Sequence, residues 1–286
     1  MRIVVTGGTG TVGKRLVREL AESGNDVGVM TRSPAGKPPL PEGAEYVEAD
    51  FADRASVVRA MTGARAVYLL TPLHPEETQF GRDAVWAAVD ARVDRVVFQS
   101  VHKAEEADHI PHFRSKVEIA EELARTGLEW TLVAPNSFYQ NDLRFRQMLT
   151  GPGIYPQPIG PVGVSHVDCA DVALIAMRCL LGSGHAGKTY PVVGPEPHTG
   201  EQVAAIWSEA LGRPIEYMGD DLAPWAEQMS QVLPEWLVED LVIMYEYFIE
   251  HGLVATAREV ETCRQFLGRQ PRSYESWVGE VAKSWE

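Results

Sequence analysis

Three glycines, Gly7, Gly10 and Gly13, recur at three-residue steps between the apolar run Ile3-Val4-Val5 and a segment where Val12, Leu16, Val17 and Leu20 return at helical spacing. A buried strand that turns on glycines straight into a helix has few architectural outlets. The first glycine permits the tight turn, the second lets an anion approach the backbone, and the third allows helix and strand to pack closely. Thr9, Thr11 and Val12 fill the rest of the turn. A helix that starts there presents unpaired N–H groups and the positive end of its dipole, so the turn reads as a cradle for a diphosphate.

The remainder of the first half follows the same rhythm. Ser23-Gly24-Asn25 closes the first helix. Apolar runs predict strands over 27–31, 44–49, 66–70, 95–100 and 130–133, with helices over 53–61, 76–91 and 113–126 between them. Strand and helix in alternation predict an α/β fold, a doubly wound parallel Rossmann sheet. Beyond Pro135 the rhythm breaks. A helix over 168–181, a strand over 189–193 and a capped helix over 199–211 precede a mostly helical remainder. The expected organisation is a dinucleotide-binding domain over 1–150, with returning segments from 151–200, and a smaller, mostly helical substrate lobe over 151–286.

Charge and cysteine usage narrow the class. The chain carries 40 acidic against 26 basic residues, a formal charge of −14 with no basic run, so a nucleic-acid partner is not expected. Cys169, Cys179 and Cys263 are too scattered for a disulfide framework and fit a reducing compartment. The first strand runs directly into the glycine turn, leaving no room for an apolar leader, and no stretch reaches the roughly 20 apolar residues of a membrane span. The expectation is a cytoplasmic protein with no membrane partner. His74, His102, His109, His112 and His166 lack metal-ligand spacing, apart from His166-x-Asp168, and no metal is expected. No Gly-x-Ser-x-Gly elbow supports a hydrolase.

The cofactor turns on the end of the second strand. Where an NAD-binding chain has a carboxylate for the ribose 2′-hydroxyl, this one has Met30-Thr31-Arg32-Ser33, with Lys37 close behind. Arg32 can pair with a 2′-phosphate, which favours NADP(H), or stand as a solvated loop charge. Asp50 and Phe51 close the third strand, where Asp50 can accept from the adenine amino group or cap the following helix, and Phe51 can flank the ring. Thr71-Pro72 ends the fourth strand, where the backbone passes the ribose or nicotinamide. Ser100 ends the fifth and points to the crevice or merely terminates the strand.

Taken in order, Thr6-Gly7-Gly8-Thr9-Gly10-Thr11-Val12-Gly13, Thr31-Arg32, Glu48-Ala49-Asp50-Phe51-Ala52-Asp53 and His112-Phe113-Arg114-Ser115-Lys116 resemble the NmrA-like branch of the atypical short-chain dehydrogenase/reductases. Glu129-Trp130-Thr131-Leu132-Val133-Ala134-Pro135, Ser137-Phe138-Tyr139-Gln140-Asn141, Val167-Asp168-Cys169-Ala170-Asp171-Val172-Ala173 and Tyr190-Pro191-Val192-Val193-Gly194-Pro195 extend the likeness to about three-quarters of the chain. The resemblance implies a Rossmann domain, NADP(H) and a small substrate lobe. The branch includes quinone reductases, reductases of aromatic ethers and ketones, and redox sensors without turnover.

The wider family's Tyr-x-x-x-Lys pair is here His112-x-x-x-Lys116, which matches the branch and removes the tyrosine proton donor. Four residues apart at a helix start, the two project from one face. Lys116 can hold the nicotinamide ribose or serve cofactor binding alone. His112 can shuttle a proton or sit on the surface. Tyr139 and Asn141 are further donors or structural residues. Aromatic residues such as Phe138, Phe145, Tyr155, Trp207 and Trp225 suit a flat apolar substrate or plain core.

The expected function is reduction of a quinone or an aromatic or polycyclic carbonyl compound by NADPH, in a monomer or homodimer. One variant has the reduced quinone react with oxygen, giving net hydroxylation of an aromatic metabolite. The alternatives are an NADP(H) sensor without turnover and a binding partner of another enzyme.

Overall fold

The structure is a computed structural model and describes residues 1–285. In chain order its first elements are β1 (Arg2–Val5), α1 (Thr11–Glu22), β2 (Asp26–Thr31), β3 (Ala44–Glu48), α2 (Arg54–Met61), β4 (Ala66–Leu69) and α3 (Glu77–Asp90). β5 (Arg95–Gln99), α4 (Pro111–Ala124) and β6 (Glu129–Pro135) follow. A 3-10 helix (Tyr139–Phe145), α5 (Arg146–Thr150), β7 (Ile154–Tyr155), α6 (Cys169–Leu181), β8 (Lys188–Val192), α7 (Gly200–Leu211) and β9 (Glu216–Tyr217) come next. The chain closes with α8 (Leu222–Met229), α9 (Glu235–His251), α10 (Ala257–Leu267) and α11 (Tyr274–Lys283).

Seven strands form one sheet in the order β3-β2-β1-β4-β5-β6-β8, with parallel pairing from β3 through β6. This is the doubly wound Rossmann sheet that the alternation predicts. The central strands show no apolar-in, polar-out alternation for a physical reason: both faces are covered. β1 (Ile3, Val4, Val5) and β4 (Ala66, Val67, Tyr68, Leu69) are buried along their lengths, as parallel strands between helical layers must be. Val4, Val67 and Phe98 meet Ala84, Val85, Ile119 and Leu123 of α3 and α4 in one core, while α1 packs on α6.

The chain divides into two compact units: Met1–Ala134 with Cys169–Tyr190, and Pro135–Asp168 with Pro191–Glu286. The change of unit falls at Pro135, where the strand–helix rhythm breaks, ahead of the expected boundary at 150. Bonds within the second unit claim the segment after Pro135. Asn136 Nδ2 donates to the Leu253 carbonyl at 2.8 Å, and the Tyr139 hydroxyl to that of Arg272 at 2.7 Å. Cys169–Tyr190 returns to the first unit, where Arg95 Nη1 caps the α6 carbonyl of Leu180 at 2.9 Å. No helix among the described residues is long and apolar enough to cross a membrane, and the three cysteines are buried and unbridged.

Candidate dinucleotide and reduction site

The sheet order reverses between β1 and β4, the place where an open parallel sheet leaves a crevice beyond its carboxyl ends. Thr6 ties the two strand ends together. Its hydroxyl donates to the Leu70 carbonyl at 2.8 Å and accepts from the Leu70 amide at 2.7 Å. The glycine turn after β1 and the Thr71 loop after β4 are thereby fixed side by side.

Within the turn, Gly7 has φ +63°, a left-handed conformation that favours glycine. Its carbonyl accepts from the Gly10 amide at 2.9 Å. A Cβ on Gly13 would lie 2.2 Å from the Gly7 carbonyl oxygen, so no larger residue fits against this turn. Gly10 is the N-cap of α1 and has no capping side chain, and the first turn contains no acidic residue. The first helical backbone bond is Lys14 N–H to Gly10 O, so the amides of Thr11, Val12 and Gly13 precede it. An uncapped, carboxylate-free helix start behind a glycine-rich turn fits a diphosphate. Thr9 is half-buried and Thr11 exposed at its mouth.

Arg32 lies exposed just past β2 and forms no ion pair among the described residues, which leaves its guanidinium available to a phosphate. Asp50 follows β3, and its Oδ1 accepts from the Ala52 amide at 3.1 Å. The N-cap of α2 is Asp53, so Asp50 fastens the turn before the helix and does not cap it. Phe51 is half-buried, its ring stacked 6.5 Å from Phe80.

Past β4 the structure brings Thr71 and Lys116 together, both buried; Ser100, after β5, is buried too, its amide bonded to the Val133 carbonyl at 2.8 Å. Lys116 Nζ donates to Thr71 Oγ1 at 2.7 Å and also to Glu77 Oε1, while Ser115 Oγ donates to Glu77 Oε2 at 3.1 Å. The Lys116 ammonium stands 5.9 Å from the centre of the Phe98 ring. Pro111 occupies the first position of α4, where its missing N–H costs nothing, and His112 and Lys116 follow on one face. His112 is half-buried, its ring edge-on to Phe113 at 4.8 Å. Glu77 escapes a reading of the sequence. The available signal is its place on the apolar face of α3, in register with Gly81, Ala84, Val85 and Ala88.

Tyr139 belongs to the second unit. It is buried with its hydroxyl on the Arg272 carbonyl, and its ring lies 5.0 Å from Tyr274 and 5.7 Å from Trp277. Asn141 is half-buried and donates to Ser137 Oγ at 3.3 Å. His166 in the same unit is buried, and desolvation together with the nearby His198 pushes it down to about 3 and keeps the imidazole uncharged. Glu196, His198 and Glu275 place donor atoms within 4.8 Å of one another, but the two carboxylates are exposed and His198 Nε2 already meets Glu275 at 2.9 Å.

Comparison with known proteins bears on the whole of this arrangement. The NmrA-like family profile matches residues 1–275. The chain belongs to the NmrA-like family. A reductase of (4-alkanoyl-5-oxo-2,5-dihydrofuran-3-yl)methyl phosphate from Streptomyces griseus is 32% identical over 287 residues, covering 99% of this chain and 98% of that protein. The NAD(P)H azoreductase of Xenophilus azovorans is 31% identical over 274 residues, 95% of each. Among solved structures, the NADPH complex of a quinone oxidoreductase from Escherichia coli superposes with a TM-score of 0.85 at 22% identity, covering 98% of this chain and 99% of that one. At that identity the likeness speaks for the fold. The three named relatives of this NmrA-like chain are oxidoreductases, the azoreductase named for NAD(P)H and the quinone oxidoreductase solved with NADPH.

Proposed function

We propose that this chain is an NADPH-dependent reductase of quinones or of aromatic and polycyclic carbonyl compounds. The observation that carries the reading is the buried Lys116 ammonium, bonded to Thr71 at the end of β4, beside an uncapped glycine turn at the end of β1. The family membership and the oxidoreductase relatives support it.

When bound, NADPH supplies the hydride. The chain's own residues do the rest. The amides of Thr11 to Gly13 meet the diphosphate, and Arg32 pairs with the 2′-phosphate. Asp50 and Phe51 flank the adenine side. Lys116 holds the ribose and presents positive charge where the carbonyl oxygen of an acceptor gains electron density. Ser100 offers a hydroxyl at the end of β5. His112, on the Lys116 face of α4 and partly open to solvent, holds the proton that completes the reduction at oxygen. The azoreductase and the quinone oxidoreductase among its relatives support an aromatic acceptor.

Steady oxidation of NADPH against a panel of quinones, azo compounds and aromatic ketones tests this. Turnover with at least one acceptor is expected, with tighter binding of NADPH than NADH. Arg32→Ala should erase about a tenfold or greater share of that preference, the worth of a charge-assisted pair with phosphate. Tight NADPH binding with no acceptor reduced would instead favour a sensor, a reading supported by the likeness to the regulator NmrA in its NADP complex (TM-score 0.82, 20% identity).

A further inference from the structure

Glu77 stands out among the buried groups of the first unit because a carboxylate on the apolar face of a helix needs a reason. α3 and α4 approach so closely at Gly81 that a Cβ there would lie 2.2 Å from Ile119 Cδ1. Glu77 and Ser115 each sit four residues, about one turn, before that contact on their own helices, and they meet across the same seam. Both Glu77 oxygens are engaged: Oε1 accepts from Thr71 and Lys116, Oε2 from Ser115. The single Ser115 hydroxyl proton is shared between Glu77 and the His112 carbonyl, whose oxygen lies 2.9 Å from Ser115 Oγ, which ties the cluster to the first turn of α4.

A lysine ammonium has three N–H donors. Thr71 takes one and Glu77 another, and the third has no acceptor among the described residues. Two fixed bonds on a tetrahedral nitrogen leave the third a single direction. A lysine without these anchors would be a flexible four-carbon stem that loses rotamer freedom on binding. As a source of stability alone, a buried ion pair is a poor choice, because desolvation consumes most of the attraction. Its tie to Thr71, at the end of β4 where ligands of such sheets bind, speaks for use.

We infer that Glu77 is a positioning residue: it gives Lys116 a buried counter-charge and a second anchor, so that the remaining N–H is aimed in advance at the bound dinucleotide. The inference rests on the reading of Lys116 as a ribose-binding residue. Its physical content is preorganisation, in which affinity is gained by ordering the lysine before the ligand arrives.

The test is NADPH titration by nicotinamide fluorescence, which needs no acceptor, together with thermal unfolding of each variant. Glu77→Gln should weaken NADPH about tenfold, the scale on which loss of an outer-shell partner acts on its ligand-binding residue. The same substitution in a Lys116→Met background should weaken it no further. The exchange Glu77→Lys with Lys116→Glu should recover unfolding temperature without recovering NADPH affinity. In turnover, Glu77→Gln should raise the KM for NADPH and lower kcat at saturation as well, because the same ammonium faces the acceptor oxygen. If Glu77→Gln does not fold, Ser115→Ala loosens Glu77 with the ion pair intact, and about a threefold weakening is expected. Unaltered affinity in the folded variant, or a loss that persists in full without Lys116, overturns the inference alone. Absence of NADPH binding by the unsubstituted chain overturns the dinucleotide reading and this inference with it.

Discussion

Glu77 in the first unit and Asp142 in the second are each 2% exposed, yet their surroundings are built on different plans. Glu77 faces an ammonium and two hydroxyls. Asp142 faces neutral donors: the Tyr274 hydroxyl, Trp207 Nε1 at 3.2 Å, the Tyr155 hydroxyl at 3.3 Å and Gln157 Nε2 at 2.9 Å. Burial raises the Asp142 carboxyl to about 6, against those hydrogen bonds and the distant pull of Arg144. Equal burial thus serves two ends. The carboxylate with a cation beside it holds a neighbouring charge in place. The one ringed by neutral donors knits aromatic side chains into a core, and it gives up its charge near pH 6.

The largest expected effect breaks the second plan. Asp142→Ala takes the acceptor from the Tyr274, Tyr155 and Gln157 donors in a dry core, while Trp207 Nε1 keeps the Tyr274 oxygen at 2.9 Å. It should cost about 4 kcal/mol or more, read from the urea midpoint. A loss below about 1 kcal/mol would mean that water or repacking satisfies them, and the contrast would fail. Next comes Lys116→Met, which strands the Glu77 charge and should cost roughly 3 kcal/mol. Adding Glu77→Gln should restore most of that, which no second substitution at Arg144 can do for Asp142.

The smallest effect is a pH dependence. Because the folded Asp142 carboxyl titrates near 6, above its ordinary 3.8, the folded state binds the extra proton between those values. Its contribution to stability is complete below about pH 3.8 and is lost as pH rises through about 6. Relative to Asp142→Asn, the unsubstituted chain should lose on the order of 1–3 kcal/mol between pH 4 and 7. A difference flat with pH would show that Asp142 stays ionised throughout.

Much of the first unit is legible in the sequence. Buried parallel strands read as apolar runs, so 27–31 anticipates Asp26–Thr31 and 95–100 anticipates Arg95–Gln99 within a residue. The capped helix expected over 199–211 is α7, with Thr199 accepting from the Gln202 amide in a capping box. The stretch 139–150 does not read as helical. Its polar run Gln140-Asn141-Asp142 hides the period, and 3-10 geometry has no apolar stripe of 3.6. β7 and β9 are two residues each and pair across the chain, beyond the reach of any local pattern.

The site divides in the same way. The glycine turn, Arg32 and Thr71 can be proposed from the sequence because they sit at strand ends that the alternation itself locates, and Lys116 because it falls four residues after His112 at the start of α4. Glu77 is not, since Glu76-Glu77 looks like the ordinary acidic start of a helix, and its partner lies 39 residues further on. Tyr139 reads as a donor near the substrate, but its hydroxyl bonds a backbone carbonyl 133 residues away. Side chains whose meaning depends on a distant partner are the ones that local patterns leave open.

The interleaved path of the chain sets an order of events on the ribosome. The nucleotide-binding half is divided by Pro135–Asp168, so α6 and the start of β8 emerge long after the glycine turn. At roughly 5–20 residues per second, several seconds pass between synthesis of Ala134 and Tyr190, during which the α1 face destined for α6 has no cover. A nascent chain arrested in that interval should expose Leu16, Val17 and Leu20 to chaperones, and its first competence to hold a dinucleotide should coincide with release of the segment ending at Tyr190.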